Sequence, residues 1–400
     1  MPSAASAASA LGTHHDTRTT ARHVMNQLGE HFVDGCDLLF LFASFHHRAA
    51  FADVAASIRE AIGARTVIGI TAESVLANGV EVEGRGGLAA LALRLPGVTV
   101  APFRLEGNDA ELLAGDEAAL RVRDRMHVNE AHRTTILLAD PFSIPTGPLL
   151  RLLGPMHGLP SVSVVGGLAS GASQPGHNVL LLDETIDSFG AVGVTLSGEL
   201  RVDAIVSQGC RPIGQPMVIT RSEGNIIKEL GGRPAIAAAQ EMADRLPARE
   251  KSLVSNGLLL GLVIDEYKPR FGRGDFLVRG LLGGDRDTGA IAVGDVPRVG
   301  QTVQFHVRDR DTADEDLRLL LDAEQLDSRP LASLLFTCNG RGRKLFEGPH
   351  HDARLLHDRL GGSPVAGFFA AGEIGPVGQR PFLHGHSAVA AVLRVASGGG

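Results

Sequence analysis

Apolar residues in this chain gather in short continuous runs rather than in strict alternation. Leu38-Leu39-Phe40-Leu41-Phe42-Ala43, Ile136-Leu137-Leu138-Ala139 and Leu334-Leu335-Phe336 are such runs, each followed by polar or glycine-containing residues. Runs of this length read as strands buried on both faces. After the first run come a helical stretch over 49–62, the segment Thr66-Val67-Ile68-Gly69, a polar loop and a closing strand over 88–93. The second run leads through Val164-Val165-Gly166-Gly167 to a closing strand over 191–196. The third leads through a helical stretch over 351–360 and Val365-Ala366-Gly367 to a closing strand over 388–394. Phe45 aligns with Phe142 and Gly69 with Gly166 at the same offset of 97, and Leu393-Arg394 mirrors Leu93-Arg94. Each copy reads strand, helix, strand, glycine loop, strand. A helix between two buried strands implies a parallel pair with a right-handed crossover, and the closing strand can then pair antiparallel. The expected fold is α/β: mixed β-sheets flanked by helices, in two related parts built from these duplicated units.

The stretch 258–307 has a different rhythm. Four strand-like segments follow one another, and Asp285-Arg286-Asp287-Thr288-Gly289 reads as a hairpin turn. An amphipathic helix with an acidic first turn is expected over 314–322. A length of 400 residues suits two to three domains. The Gly/Pro-rich stretch 209–216 places a boundary near 220–225. The expected division is a disordered Ala/Ser-rich tail over 1–33, a first domain over 34–222 and a second over 223–395.

Composition narrows the function. Apolar residues make up 44% and charged residues 21%, ordinary values for a soluble globular protein. The net charge of −7, with no Lys/Arg block, argues against nucleic acid as a partner. No apolar run is long enough to span a bilayer, so no membrane association is expected. Cys36, Cys210 and Cys338 form neither a CxxC pair nor an even framework, which fits a reducing cytoplasm. With Trp absent and a single Tyr, an aromatic cage is excluded as the recognition device.

The candidate chemistry lies in two glycine loops near the end of the chain. Cys338-Asn339-Gly340-Arg341-Gly342 follows the third run, and Gly367-Phe368-Phe369-Ala370-Ala371-Gly372-Glu373 follows the next strand. Glycines let the backbone turn sharply and let another molecule approach, and loops at strand ends are where α/β proteins place ligands. The Arg341 guanidinium suits a carboxylate or phosphate, and Glu373 suits a ligand amine, so the pair suits an amino-acid zwitterion. The alternative is an internal ion pair between Arg341 and Glu373. Arg279, inside an apolar strand, is either a second cation of the pocket or the partner of Asp265 or Asp285. Cys338 would serve as a nucleophile only with a base and an anion-stabilising site, for which His384 and His386 are the near candidates in sequence. The spacing His384-Gly385-His386 lacks further ligands for a metal. No cofactor motif is present: the glycines at 166–171 have no following lysine, and GxSxG and HExxH are absent.

These motifs and their order resemble the FIST domain family. The resemblance runs from Gly69-Ile70-Thr71-Ala72-Glu73, Gly79 and Gly166-Gly167 through Phe276-Leu277-Val278-Arg279-Gly280 and the segment 303–309 to Cys338-Asn339-Gly340-Arg341-Gly342 and 367–375. It implies a cytoplasmic sensory module that binds a small ligand, an amino acid or small carboxylate, and passes the signal to a kinase or receptor. The segment ahead of the first matching strand is shorter than an F-box, so the output partner is expected on another chain. A thiol-dependent enzyme using Cys338 and an adaptor for a signalling protein are the alternatives.

Overall fold

The three copies read from the sequence each build the centre of one six-stranded sheet. The structure is a computed structural model that describes residues 4–107, 111–156, 158–255 and 257–395. In the first copy, Cys36–Ser44 pairs in parallel with Ala64–Ala72 and antiparallel with Leu88–Arg94. In the second, His132–Ala139 pairs in parallel with Val164–Leu168 and antiparallel with Ala191–Gly198. In the third, Ala332–Cys338 pairs in parallel with Val365–Ala370 and antiparallel with Ser387–Val395. The fold is thus α/β with mixed sheets flanked by helices.

One glycine recurs at one register. Gly69 stands opposite Leu41, Gly166 opposite Leu137 and Gly367 opposite Leu335. A Cβ at these positions would lie 2.5, 1.9 and 1.8 Å from the carbonyl oxygen of Leu41, Leu137 and Leu335. No side chain fits there, so each parallel pair requires glycine for its close backbone approach.

Each sheet is completed by a hairpin from a different copy. Val75–Ala77 and Val80–Val82 leave the first copy and extend the third sheet, with Ala77 opposite Ala366. Glu373–Val377 and Arg380–His384 leave the third copy and extend the second sheet, with Glu373 opposite Gly167. Leu180–Leu182 and Thr185–Asp187 leave the second copy and extend the first sheet, with Leu181 opposite Gly69. The opposite edges are Ser6–Gly12, Val98–Leu105 and Leu200–Gln208, each preceding its own copy. The inner faces of the three sheets share one apolar core that includes Phe42, Ile68, Leu138, Phe336 and Phe368. The Phe368 ring lies 5.2 Å from Phe42 and 5.5 Å from Phe336. Outer faces are covered by helices. Phe51–Ile62 buries Phe51, Val54, Ala55, Ile58 and Ile62, a single stripe, and ends at Gly63 in the left-handed conformation.

One expectation needs correction, and the compact units are divided differently from the expected sequence domains. Residues 6–29 are not a disordered tail: Ser6–Gly12 pairs with Leu88–Arg94, and Thr17–Gly29 is a helix capped by Asp16, which accepts from the Thr19 amide at 2.8 Å. The strand buries only the small side chains of Ala8 and Ala10, so its hydrophobic signal is weak. The contiguous division at 222/223 is not the division of the compact units. One unit holds 1–206, 318–383 and 388–400, and the other 207–317 and 384–387. The third copy is interrupted between its leading strand Leu200–Gln208 and its first central strand, so a single cut in the sequence cannot follow it. The smaller unit is an antiparallel sheet in which Cys210–Glu223 pairs with both Thr302–Arg308 and Ile226–Leu230, closing the sheet on itself. Its 285–289 turn is the expected hairpin, with Asp285 opposite Ala290 and accepting from the Thr288 hydroxyl at 2.7 Å.

The glycine register makes a direct prediction. Gly367→Ala should destabilise the protein by about 3 kcal/mol in urea denaturation, because the new methyl has only backbone to displace. Gly29→Ala, with nothing within 4 Å of the added carbon, is the control and should be close to neutral.

Candidate functional site

The site grows out of the end of strand Ala332–Cys338. The chain turns at once: the Arg341 amide donates to the Cys338 carbonyl at 2.8 Å, and the Asn339 amide donates to Ala370 on the neighbouring strand at 2.9 Å. The Gly340 amide donates to Cys338 Sγ at 3.4 Å. Gly342 has a positive φ of 57°, and a Cβ there would lie 2.6 Å from Glu83 Oε2. This folding places the Arg341 side chain inside the protein, 1% exposed.

Its partner is Asp352, in the first turn of helix His351–Arg359 and itself wholly buried. Arg341 Nε donates to Asp352 Oδ2 at 2.6 Å and Nη2 to Oδ1 at 2.8 Å, a bidentate fork. The Thr337 hydroxyl donates to Oδ2 at 2.6 Å, and His351 Nδ1 lies 2.9 Å from Oδ1. The guanidinium sits 5.3 Å from the centre of the Phe346 ring, which stacks on His351 at 3.4 Å. Burial opposes ionisation of Asp352, but the Arg341 charge and hydrogen bonds outweigh it and hold the carboxyl well below the usual range. Burial likewise works against the Arg341 charge, and Asp352, with smaller contributions from Cys338 and Glu373, more than offsets it.

The internal ion pair offered as the alternative for Arg341 does form, with Asp352 as the partner in place of Glu373. Both oxygens of Asp352 meet the guanidinium fork, whereas Glu373 acts on Arg341 through its field. Glu373 is fully buried on the strand that extends the second sheet, and the Gly372 carbonyl accepts from Leu168 at 2.8 Å. Asp352 was missed because an acidic residue in a helix's first turn is ordinary helix chemistry. Two polar atoms of the loop, Arg341 Nη1 and Asn339 Oδ1, are buried without a hydrogen-bond partner. Native interiors rarely leave such atoms unmet.

Strand ends of all three copies meet beside the loop. The Ser170 hydroxyl accepts from the Glu73 amide at 2.9 Å and donates to the Phe369 carbonyl, and the Phe369 amide donates to Ser74 at 2.9 Å. Lys344, just past the loop, pairs with Glu73 at 2.8 Å. Behind Asp352, Glu81 from the first copy's hairpin accepts from the Ala353 amide at 3.0 Å. Glu81 is 3% exposed, and burial followed by the Asp352 charge pushes its carboxyl up to about 7.

Arg279 belongs to the smaller unit, and its Nε donates to Asp295 at 2.7 Å, not to Asp265 or Asp285. Asp265 accepts from the Tyr267 amide, and Asp285 is engaged in its own turn. His384 and His386 belong to the smaller unit and Cys338 to the larger. Cys338 is 9% exposed at its strand end. Among the described residues, no group of three or more His, Cys, Asp or Glu is placed to hold a metal ion, and no helix is long and apolar enough to cross a membrane.

Fold and site together define a class: a mixed α/β protein made by triplication, with a buried arginine–carboxylate centre at the end of its third copy's first strand. The chain belongs to the FIST family: residues 37–233 match the FIST N domain and residues 238–376 the FIST C domain. It is 40% identical over 387 residues to an uncharacterized protein of Mycobacterium tuberculosis, covering 96% of this chain and 98% of that one. It is 39% identical over 385 residues to an uncharacterized protein of Mycobacterium bovis, covering 94% and 96%. Among solved structures it is similar to a cyanuric acid hydrolase from A. caulinodans, with a TM-score of 0.37 at 10% identity, covering 98% of this chain and 100% of that one. FIST domains are in general small-ligand sensory domains of signalling proteins.

Two tests follow from the geometry. Asp352→Ala leaves a buried guanidinium unpaired and should cost about 3–5 kcal/mol in urea denaturation. Glu81 has a folded value of about 7 against an unfolded reference of 4.5, so the native state holds its proton more tightly. Its contribution to stability is full below the unfolded value and is lost as pH rises through the folded one. Glu81→Gln should flatten the fall in stability between about pH 5 and 8. An unchanged slope in the variant would remove Glu81 as its source.

Proposed function

We propose that this protein is a cytoplasmic small-ligand sensor whose ligand binds at the loop 338–342 and the neighbouring Gly372 and Glu373, and that a separate signalling protein, a kinase or receptor, reads the bound state. The observation that carries the reading is the Arg341 guanidinium, wholly buried with two nitrogens held by Asp352 and Nη1 left without a partner. Asp352 holds the arginine rigid, so little side-chain freedom is lost when a ligand meets Nη1. The strand ends of three copies meet here, so a ligand at the loop can alter how the copies fit together and so reach a surface seen by a partner. Three reduced cysteines agree with a reducing compartment.

The test is a thermal-shift screen of the full chain against amino acids, small carboxylates, phosphates and small neutral amides, with Glu373→Gln in parallel. A solute at a hundred times its dissociation constant should add about 2.7 kcal/mol of stability. That corresponds to a rise of several degrees, about 2–4 °C per kcal/mol if unfolding is cooperative. The expected outcome is a shift in the native chain that shrinks in Glu373→Gln. A panel without a shift, or a shift indifferent to Glu373, would refute the assignment.

A further inference from the structure

We infer that the outer strand of the first copy's hairpin, Val80–Val82, is a proton-operated latch on the third copy: a proton on Glu81 holds it against the start of helix His351–Arg359, and loss of that proton loosens it. No ligand at the loop 338–342 is needed for this, so the latch stands apart from the small-ligand reading.

The outer strand is attached differently from its neighbour. Val75–Ala77 is tied to the third copy by ladder pairing with Ala366, Gly367 and Phe368. Val80–Val82 lies at the edge of that sheet, with Val75–Ala77 as its sheet neighbour. It reaches the third copy through Glu81. The Ala353 amide, in the first turn of the helix, donates to Glu81 Oε1 at 3.0 Å, and the Glu81 amide donates to His350 Nδ1 at 3.0 Å. His350 is the helix's own cap residue and makes no side-chain capping bond. The two bonds are reciprocal, as in a capping box, but the acid comes from another copy. Just beyond the strand, Glu83 accepts from the Arg343 amide at 3.1 Å.

The carboxyl that closes this box is poorly placed to be an anion. It is buried, and its Oε2 has no hydrogen-bond partner. Around it stand Asp352, His351 and His350 at the helix start and Glu83 on its own side of the hairpin, with Arg354 and His357 beside Gly79 at the hairpin turn. Asp352 is wholly buried and kept ionised by the Arg341 fork, so the cation of this cluster is already taken. An ionised Glu81 would set a second buried negative charge beside the first. The protonated acid keeps the Ala353 bond through its carbonyl oxygen without that cost. Opening returns Glu81 to water and to its ordinary value of 4.5, against about 7 when closed. The closed latch therefore holds the proton more tightly. Its grip is full below the open value, weakens by up to about tenfold per pH unit as pH rises toward the closed value, and then levels off. His350 opposes this on the acid side: burial holds it below the ordinary histidine value, and a protonated Nδ1 cannot accept from the Glu81 amide. The same helix turn presents Asp352 to Arg341, so the latch ties proton concentration near neutrality to the loop 338–342.

The test is hydrogen exchange of the full chain from about pH 5 to 9, native and Glu81→Gln, resolved at the amides of residues 81 and 353 and corrected for the intrinsic exchange rate. Glutamine keeps the acceptor for Ala353 and cannot ionise, and His350 is common to both chains, so the ratio of the native to the variant opening constant isolates Glu81. That ratio should climb at least about tenfold between pH 5 and 8 and level off above. At every pH both amides should be less protected than those of strand Val164–Leu168 in the second sheet, as a local opening requires. A ratio flat across this range would overturn the latch, since Glu81 would then ionise alike in the open and closed forms. Protection equal to that of Val164–Leu168 would overturn it as well, because the hairpin would open only with the whole unit.

Discussion

No copy of the triplicated unit can finish its own sheet. Each central parallel pair exposes a strand edge, and the hairpin that covers it comes from another copy: first to third, third to second, second to first. An uncovered edge with unpaired backbone groups is a liability in any sheet protein, so the exchange binds the three copies into one folding unit. Nearly everything else in the larger unit follows from it. The inner faces are forced together over one core, and the outer faces keep their helices. The strand ends of all three copies are brought to one place, where Ser170 joins main chain from the first and third copies.

The same exchange makes the copies free to differ. By the register of the recurring glycines, Ser44, Asp140 and Cys338 occupy equivalent strand ends. Ser44 accepts from the Gly87 amide, and Asp140 is filled by Ser143 and Asn178. Only the third loop carries the arginine locked onto an aspartate. The first loop also keeps buried polar atoms without hydrogen-bond partners, His47 Nε2 and Arg48 Nε, so the third is set apart by its bidentate Arg341–Asp352 pair. The Glu81 carboxyl, reaching from the first copy's hairpin to the helix that presents Asp352, ties that loop to a neighbouring copy. A change at Arg341 can therefore be felt at a joint between copies without any long path.

Much of this was legible in the residues. The apolar runs, the 97-residue offset and the recurring glycines marked the copies, and the loop at 338–342 was visible as glycines and an arginine after a buried strand. The amino-terminal strand was not, because alanine is too small to mark a buried face, and serine and threonine between the alanines suggested a tail. The partner of Arg341 was not legible either. Glu373 and Asp352 are both acids near a glycine loop, and only the placement of the helix start decides which one meets the guanidinium fork. Arg279 illustrates the converse: an arginine in an apolar strand does call for a carboxylate, but the choice among Asp265, Asp285 and Asp295 belonged to strand pairing and turn geometry.

By itself the sequence determined the local units: where strands lie, where backbone must approach backbone, and which loop carries uncommon chemistry. Those follow from side-chain size, polarity and the steric demands of glycine, all of which act over a few residues. Tertiary structure alone decided which copy lends its hairpin to which, which acid neutralises Arg341, and which polar atoms stay buried without partners. Those depend on the distance between residues far apart in the chain, and an ion pair or hydrogen bond changes from decisive to negligible within a few ångströms.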